Sequence, residues 1–394
     1  MTGAQQLAQP PVHTSEIKNY LKCKLYWFWT APPPRGLGLE PKMIRPALNT
    51  GRVVHKALQD GYDTQEPFVD TYRAAVQEYL EKYEEADSDT LDELETCGSM
   101  IEGYEGWAAI NDPGTKFLAT ETQWGPIEYE GIPLSGRFDA VVKMDDGLWI
   151  MDFKTTKYLD NPWTTTDLQA TIYTWAARQL YSKDVRGLIF RFLRKKAPMK
   201  YHELILKDGT LTTRKNLSGS TTYEEYITAQ AVATLKFLAE KDFMFAGEIG
   251  LEDADAVPIS YYRALLDGTQ QEQPWYPEFA EAFQNTRRLY HRQSMELKGP
   301  SKFFWDVREY RTEEQIENYF RYIVVPCAHR MTAPKKWVGP TGLGSFRTCT
   351  SCSFRAPCKL RMDNADFRTI LNEEFQLRDI YEEDYEEADR GQDL

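Results

Sequence analysis

The spacing of hydrophobic residues changes along the chain. Between residues 15 and 110, apolar side chains recur every three or four positions, as they do on amphipathic helices. We predict helices over Ser15–Trp29, Asn49–Tyr62, Glu66–Ala86 and Leu91–Ile110. The run Ala31-Pro-Pro-Pro-Arg-Gly ends the first of them, since proline cannot continue a helix.

The middle of the chain alternates with a period of two, which favours strands. We predict strands over Thr115–Trp124, Ile132–Lys143, Leu148–Lys154, Val185–Leu193 and Tyr201–Lys207. A helix from Thr165 or Thr166 to Leu180 separates the third strand from the fourth. Helical spacing then returns over Tyr223–Phe245, Pro277–Lys298 and Thr312–Ile323. This order of elements predicts an α/β fold with a mixed sheet and added helices.

Composition narrows the class of protein. The 394 residues are 42% hydrophobic, enough for a large core in one elaborated domain or two. We see no apolar run long enough to cross a bilayer and no signal peptide, so we expect a cytoplasmic protein that does not bind membranes. Six cysteines in that compartment are more often metal ligands than disulfides. The net charge of −13 argues against non-specific coating of nucleic acid but allows a local basic groove.

Two carboxylates and a lysine are expected to meet on adjacent strands. Asp152 and Lys154 are two residues apart on one strand, so their side chains share a face. A hairpin would bring Asp139 beside them. Carboxylate oxygens bind Mg²⁺ or Mn²⁺, and such an ion activates water and clamps phosphate oxygens. The alternative is an ordinary ion pair on a solvated strand face.

This arrangement resembles the PD-(D/E)xK nuclease superfamily, in its RecB-like branch. The resembling residues are Asp139 and the run Asp152-Phe-Lys154, with Gly51-Arg-Val-Val-His55 upstream and Gln169-x3-Tyr173 downstream. They follow the family's order. The resemblance covers about residues 49 to 207 and implies a restriction-endonuclease-like core.

The resemblance also implies a role for each residue. Asp139, Asp152, Lys154, Gln169 and Tyr173 would be catalytic, and His55, Asp139, Asp152 and the Phe153 carbonyl would ligate the metal. Glu121, on the first strand, would support or bind metal, although an exposed strand glutamate is the other interpretation. Gln169 and Tyr173 are expected to affect substrate engagement more than metal affinity. Gly136 is expected to relieve crowding between closely packed strands.

Four cysteines have the spacing of a metal site. Cys349-x2-Cys352-x5-Cys358 places three thiols within ten residues, and Cys23 near the other end of the chain would be the fourth. A tetrahedral zinc site and an iron–sulfur cluster both fit this spacing. The pattern is similar to that of RecB-like nucleases such as the AddB nuclease domain and CRISPR-associated exonucleases, which implies a [4Fe-4S] cluster joining the chain's ends. Cys97 and Cys327 are expected to be packed thiols.

Basic residues suggest where DNA would bind. Arg191, Arg194, Lys195 and Lys196 are interleaved with apolar residues at the end of a predicted strand, a combination that suits single-stranded DNA. A second candidate lies at Arg330, Lys335, Lys336 and Trp337. Trp27 and Trp29 either stack bases or belong to the core.

The leading hypothesis is a metal-dependent deoxyribonuclease, an exonuclease on single-stranded DNA ends in recombination, repair or phage DNA processing. A helicase or recombination partner fits, since the chain has no phosphate-binding loop of its own. The alternative is a non-catalytic, cluster-stabilised subunit of a helicase–nuclease or CRISPR adaptation complex. An electron-transfer protein is a third class, which no other feature supports.

We therefore divide the chain into four parts: residues 1–48 with the first cluster cysteine, 49–210 as the nuclease core, 211–325 as a helical insertion, and 326–394 as the iron–sulfur segment with an acidic tail.

Overall fold

The structure is a computed structural model. It describes residues 10–42, 46–82, 88–159, 161–196, 199–207, 221, 225–226, 228–234, 276–277, 279–282, 302–333, 338–341, 346–350 and 352–378. None of the helices in these ranges is both long and apolar enough to cross a membrane.

Helices and two short strands make up the first part of the chain. They are β1 (Val12–His13), α1 (Thr14–Lys22), α2 (Lys24–Thr30), β2 (Leu39–Pro41), α3 (Pro46–Thr64), α4 (Phe68–Lys82) and α5 (Ser88–Asn111). The predicted helix over Ser15–Trp29 is thus two helices, because Cys23 is extended and separates α1 from α2.

The central sheet follows. Its elements are β3 (Lys116–Tyr129), β4 (Ile132–Met144), β5 (Gly147–Thr156), a 3₁₀ helix (Pro162–Thr166), α6 (Leu168–Leu180), β6 (Val185–Arg194) and, much later, β7 (Phe304–Tyr310). The order along the sheet is β1-β4-β5-β6-β7, with β3 also paired to β4. β5 and β6 are parallel and are joined through α6, whereas β3–β4, β4–β5 and β6–β7 are antiparallel. The predicted mixed sheet is confirmed.

One predicted strand is wrong. Tyr201–Leu204 forms a 3₁₀ helix, in which the Glu203 carboxylate accepts the backbone N–H of Lys200 at 2.7 Å. The edge of β6 that this segment might have joined is occupied by β7. The predicted helices Tyr223–Phe245 and Pro277–Lys298 lie mostly outside the described residues, and residues 228–234 are helical.

Both faces of the sheet are covered. On one face, α1, α6 and the helices after β7 bury a cluster that includes Phe138, Phe190 and Trp175. On the other, α3, α4 and α5 bury a second cluster that includes Trp149, Met151 and Tyr104. The sheet is therefore a middle layer between two sets of helices.

The last elements pack against the first. They are α7 (Glu313–Tyr319), a π-helical segment (Phe320–Val324), α8 (Val325–Thr332), α9 (Phe346–Cys349), α10 (Arg355–Met362), α11 (Arg368–Glu374) and β8 (Phe375–Leu377). β8 pairs antiparallel with β2, and Phe354 and Phe375 pack with Leu25 and Trp29 in a small separate core. Trp27 and Trp29 are both buried, so core packing is the correct interpretation of these two residues.

Candidate active site at the fork of two strands

β4 and β5 separate at the position of the two predicted carboxylates. Their ladder runs from Met144–Gly147 to Ala140–Met151 and stops there. At the next residue, the Asp139 carboxylate accepts the backbone N–H of Phe153 at 2.8 Å, in place of a strand-to-strand bond. Asp139 and Asp152 therefore lie at the opening of the fork.

Three side chains meet at this opening. One ligand atom from each of His55, Glu121 and Asp139 lies within 4.8 Å of the other two. His55, from α3, places Nδ1 3.4 Å from Asp139 Oδ2. Glu121 comes from β3, where its neighbours Thr120 and Thr122 pair with Ala140 and Phe138 on either side of Asp139. Three separate elements thus supply one imidazole and two carboxylates.

Glu121 is held in an unusual backbone conformation. Its φ of 41° lies in the left-handed region, which costs a residue with a Cβ about 1–3 kcal/mol. Burial and the charge of Asp139 raise the pKa of the Glu121 carboxyl. Arg137 offsets part of this effect, with Nε 2.6 Å from Glu121 Oε2. Local strain and charge crowding at one residue are typical of a functional site.

Asp152 and Lys154 form an ion pair behind the three ligand-type residues. Asp152 is fully buried, and Lys154 Nζ contacts its Oδ2. Burial raises the pKa of Asp152 to about 6; the Lys154 charge lowers it, and the Asp139 charge adds to the rise. Burial alone would lower the pKa of Lys154, but the charges of Asp152 and Asp139 outweigh burial and raise that pKa. Lys154 is therefore a firmly protonated cation at neutral pH.

Gln169, on α6, holds Asp152 and is itself bound by Lys18 of α1. Gln169 Nε2 donates to Asp152 Oδ1 at 2.7 Å, and Gln169 Oε1 accepts from Lys18 Nζ at 2.9 Å. Asp167 caps α6 by accepting the Gln169 backbone N–H, and lies 3.5 Å from Lys18. The sequence did not indicate a role for Lys18, because its partner Gln169 lies 151 positions away and the spacing of residues in α1 gives no sign of the contact.

Tyr173 lies one turn after Gln169 and is buried. Its ring packs edge-on against Trp124 and Phe138, and its hydroxyl interacts with Gln169. A Cβ on Gly136 would come within 2.7 Å of the Trp124 ring, so the predicted close packing at this glycine is confirmed. These contacts place Tyr173 behind Gln169, as a support.

The donor set fits a divalent cation. Within the described residues, Glu121 Oε2 and Asp152 Oδ2 are buried without a hydrogen-bond partner, although Arg137 and Lys154 place a cationic group beside them. Carboxylate oxygens and a histidine nitrogen suit Mg²⁺ or Mn²⁺. At Phe153 the backbone N–H engages Asp139, and the ligand role of its carbonyl stays a prediction.

The predicted basic DNA contacts need correction. Arg191 is 1% exposed, and its guanidinium pairs with Asp112 and Asp306 at 2.7–2.9 Å. The prediction that Arg191 contacts DNA is therefore wrong. The Lys195 side chain is 5% exposed, with its ammonium bound to Thr50 and Glu93, so it too points inward.

Arg194 and Lys196, from the same run of basic residues, remain candidates for contacts with DNA. Arg194 is half-buried and Lys196 is exposed at the end of β6. Arg330 is also exposed, whereas Lys335, Lys336 and Trp337 lie outside the described residues.

The four predicted cluster cysteines lie near one another. Cys23 separates α1 from α2, Cys349 ends α9, and Cys358 lies on α10. Cys23, Cys352 and Cys358 all pack against the small core between the chain's ends. Burial raises the pKa of the Cys358 thiol, and Cys23, Cys352 and Cys349 raise it further through their charge. Cys97 and Cys327 are buried elsewhere, as predicted.

Comparison with known proteins agrees with this geometry. A search of curated proteins found no match. The model of the PD-(D/E)XK nuclease superfamily, whose members are generally metal-dependent nucleases, matches residues 13–359. That match spans most of the chain and includes every residue of the strand fork, so the protein belongs to the PD-(D/E)XK nuclease superfamily.

Proposed function

We propose that this protein is a divalent-metal-dependent deoxyribonuclease that digests single-stranded DNA from an end. The observation that carries the proposal is the fork of β4 and β5. There His55, Glu121 and Asp139 offer ligand atoms within 4.8 Å of one another, and the ion pair of buried Asp152 with Lys154 lies on the adjoining strand β5.

His55, Glu121, Asp139 and Asp152 would hold the metal. When bound, a Mg²⁺ or Mn²⁺ ion supplies an activated water and neutralises charge on the phosphate. Above about pH 6 the Asp152 carboxyl is ionised and can serve as a ligand. The protonated Lys154 offers a fixed positive charge for the phosphate oxygens, whose negative charge rises as the bond breaks.

In this proposal Gln169 and Tyr173 position the metal ligand Asp152, whereas the sequence alone led us to expect an effect on substrate engagement more than on metal affinity. Gln169 fixes Asp152 Oδ1 at 2.7 Å, which leaves Oδ2 directed at Lys154. Tyr173 and Lys18 in turn fix the Gln169 amide. Such outer contacts keep ligands in the geometry that a metal needs.

End-labelled DNA tests the proposal directly. Linear and circular, single- and double-stranded substrates are incubated with Mg²⁺ or Mn²⁺. We expect loss of label from linear single strands, with circles resistant. Asp152→Ala should abolish cleavage, and Lys154→Ala should slow the chemical step while metal binding persists. Cleavage by Asp152→Ala at the wild-type rate would refute this site.

The alternative is a non-catalytic subunit that only binds DNA. It predicts no cleavage by the wild-type protein in either metal, with DNA binding intact. The presence of His55, Asp139, Asp152, Lys154, Gln169 and Tyr173 argues against it, since a vestigial site would be expected to have lost one of them.

We further propose that Cys23, Cys349, Cys352 and Cys358 hold one [4Fe-4S] cluster. Support comes from their spacing in the sequence and from the small core that Cys23, Cys352 and Cys358 share between the chain's ends. Thiolate ligands must be deprotonated, and the bound metal would overcome the raised pKa of Cys352 and Cys358.

Anaerobic purification distinguishes the cluster from zinc. We expect a brown protein containing iron and sulfide and little zinc. Cys358→Ser should bleach the colour and lower the melting temperature, whereas the buried control Cys327→Ser should keep the colour. A colourless protein with one zinc per chain would refute the iron–sulfur assignment.

Recombination, repair and phage DNA processing all supply free single-stranded ends, and we propose that the nuclease acts in one of these processes. A helicase partner would open duplexes for this nuclease. Co-purification of a helicase with the tagged protein from its host, lost at high salt, is the corresponding test.

A further inference from the structure

The loop between β5 and α6 exposes three large apolar side chains. Tyr158 is 76% exposed, Leu159 46% and Trp163 40%. Tyr158 and Leu159 lie shortly after the strand that carries Asp152 and Lys154, and Trp163 lies on the 3₁₀ helix that follows. Single exposed apolar residues are common, but a group beside a candidate active site points to a ligand.

Trp163 is fixed in place by its contacts. One part of its indole packs edge-on against Phe190 and Phe192, at centroid distances of 5.4 and 6.0 Å. Its Nε1 donates to Asn161 Oδ1 at 3.3 Å. The exposed part of the ring is therefore preformed, and binding a partner would cost little side-chain entropy.

The backbone of this loop is anchored as well. Buried Arg311 donates to the carbonyl oxygen of Thr165 at 3.0 Å and lies 3.5 Å from that of Thr164. The same guanidinium bonds to Thr171 on α6 at 3.1 Å. Arg311 therefore holds the 3₁₀ helix that carries Trp163 against α6, the helix that carries Gln169.

Trp163 lies close to the catalytic lysine. Lys154 Nζ is 6.0 Å from the centre of the Phe190 ring, the same ring that Trp163 contacts. The separation of Nζ and the indole cannot exceed the sum of these two distances. A stacked strand advances about 3.4 Å per nucleotide, so roughly three nucleotides at most span that gap.

We propose that Trp163, with Tyr158 on the same loop, forms a stacking platform for an unpaired DNA base within a few nucleotides of the scissile phosphate. The inference rests on the proposed nuclease function and adds to it the residue that binds a base of the DNA. Exposed aromatic faces stack any unpaired base, whereas bases in a duplex have no free face. Lys157 on the same loop is largely exposed and provides a cation for the backbone, although its ammonium also lies 3.5 Å from the Glu93 carboxylate.

Binding of oligonucleotides with single abasic sites tests the platform. The probe is a fluorescein-labelled single-stranded 12-mer, read by anisotropy in EDTA with the Asp152→Asn protein to prevent cleavage. Trp163→Leu keeps an apolar contact with Phe190 but removes the stacking face, and Trp163→Phe restores a ring. Tyr322→Ala removes a more exposed ring elsewhere, on the π-helical segment (70% exposed, against 40% for Trp163), and serves as the control.

We expect Trp163→Leu to weaken binding about 5- to 150-fold, the equivalent of one lost base stack. Trp163→Phe should recover most of the affinity, and Tyr322→Ala should match the parent protein. One abasic position should weaken binding to the parent protein and have no effect with Trp163→Leu.

Two results would overturn the inference. If Trp163→Leu binds the 12-mer as tightly as its parent, or keeps the parent's sensitivity to every abasic position, Trp163 stacks no base. Wild-type cleavage of DNA in the same preparation would then leave the proposed nuclease function standing. If the wild-type protein neither binds nor cleaves single strands, both proposals fail together.

Discussion

Asp152→Asn should make the metal-free protein more stable at neutral pH, although it should destroy the activity. Asparagine resembles the protonated carboxyl in shape and lacks its charge. Its side-chain oxygen can still accept the Gln169 amide, which now bonds to Asp152 Oδ1 at 2.7 Å. The variant therefore removes a buried negative charge and retains one of its main contacts.

The size of the effect follows from the pKa of Asp152. Burial, only partly offset by Lys154, raises that pKa from 3.8 to about 6 in the folded protein. The folded state thus holds its proton over a pH range in which the unfolded state has lost it, and stability falls as pH rises from about 4 to 6. The loss above pH 6 is about 3 kcal/mol, since one pKa unit is worth 1.36 kcal/mol.

Thermal unfolding in EDTA between pH 4 and 8 measures this difference. At pH 4 the variant and the wild type should melt together. At pH 7 and above, Asp152→Asn should melt about 3 to 4 °C higher, given an unfolding entropy of roughly 2.1 cal/mol/K per residue. Glu128→Gln, which neutralises an exposed carboxylate, is the control and should show no such pH-dependent gap. A variant less stable than the wild type at pH 8 would refute the argument, because Lys154 would then stabilise the charge more than burial opposes it.

Substitutions at three other residues give further predictions. Gln169→Leu removes the hydrogen bond to Asp152, so the affinity for Mn²⁺, measured by calorimetry, should fall about 10- to 100-fold. An unchanged affinity would mean that Gln169 acts on substrate binding alone. Lys18→Met should lower the same affinity by less, because it acts only through Gln169. Arg191→Met leaves Asp112 and Asp306 without their cation and should lower the free energy of unfolding by about 3–5 kcal/mol in a denaturant titration. DNA affinity per folded molecule should stay the same, and a loss of affinity at full stability would contradict the buried position of Arg191.

The strand fork was predictable because its signals are local. Asp152 and Lys154 share a face by the two-residue period of a strand, and the turn at Met144–Gly147 is short enough to require a hairpin. Asp139 therefore had to lie nearby. The role of Glu121 stayed open, because it depends on the register between β3 and β4 and on a left-handed backbone, which the sequence does not specify.

The errors concern contacts between distant parts of the chain. Arg191 looked like a DNA contact among other basic residues, but its partners Asp112 and Asp306 lie 79 and 115 positions away. Tyr201–Lys207 was predicted to be a strand, but the strand that pairs with the free edge of β6 is β7, which comes more than one hundred positions later in the chain. The Lys18 contact with Gln169 likewise depends on where α1 docks. The local pattern of residues identifies each helix or strand. Which distant strand or side chain it contacts depends on the packing of the whole core.

The pairing of β2 with β8 has a consequence for the order of folding. Glu40 and Gln376 in this ladder are 336 positions apart, and closing so long a loop costs about 5 kcal/mol in chain entropy beyond a constant. Three residue pairs and a small core are too little to meet that cost from an open chain. The ends should therefore join last, after the central sheet has brought them close together. During synthesis Cys23 would emerge long before Cys349, Cys352 and Cys358, so the proposed four-cysteine site would be completed only at this last step.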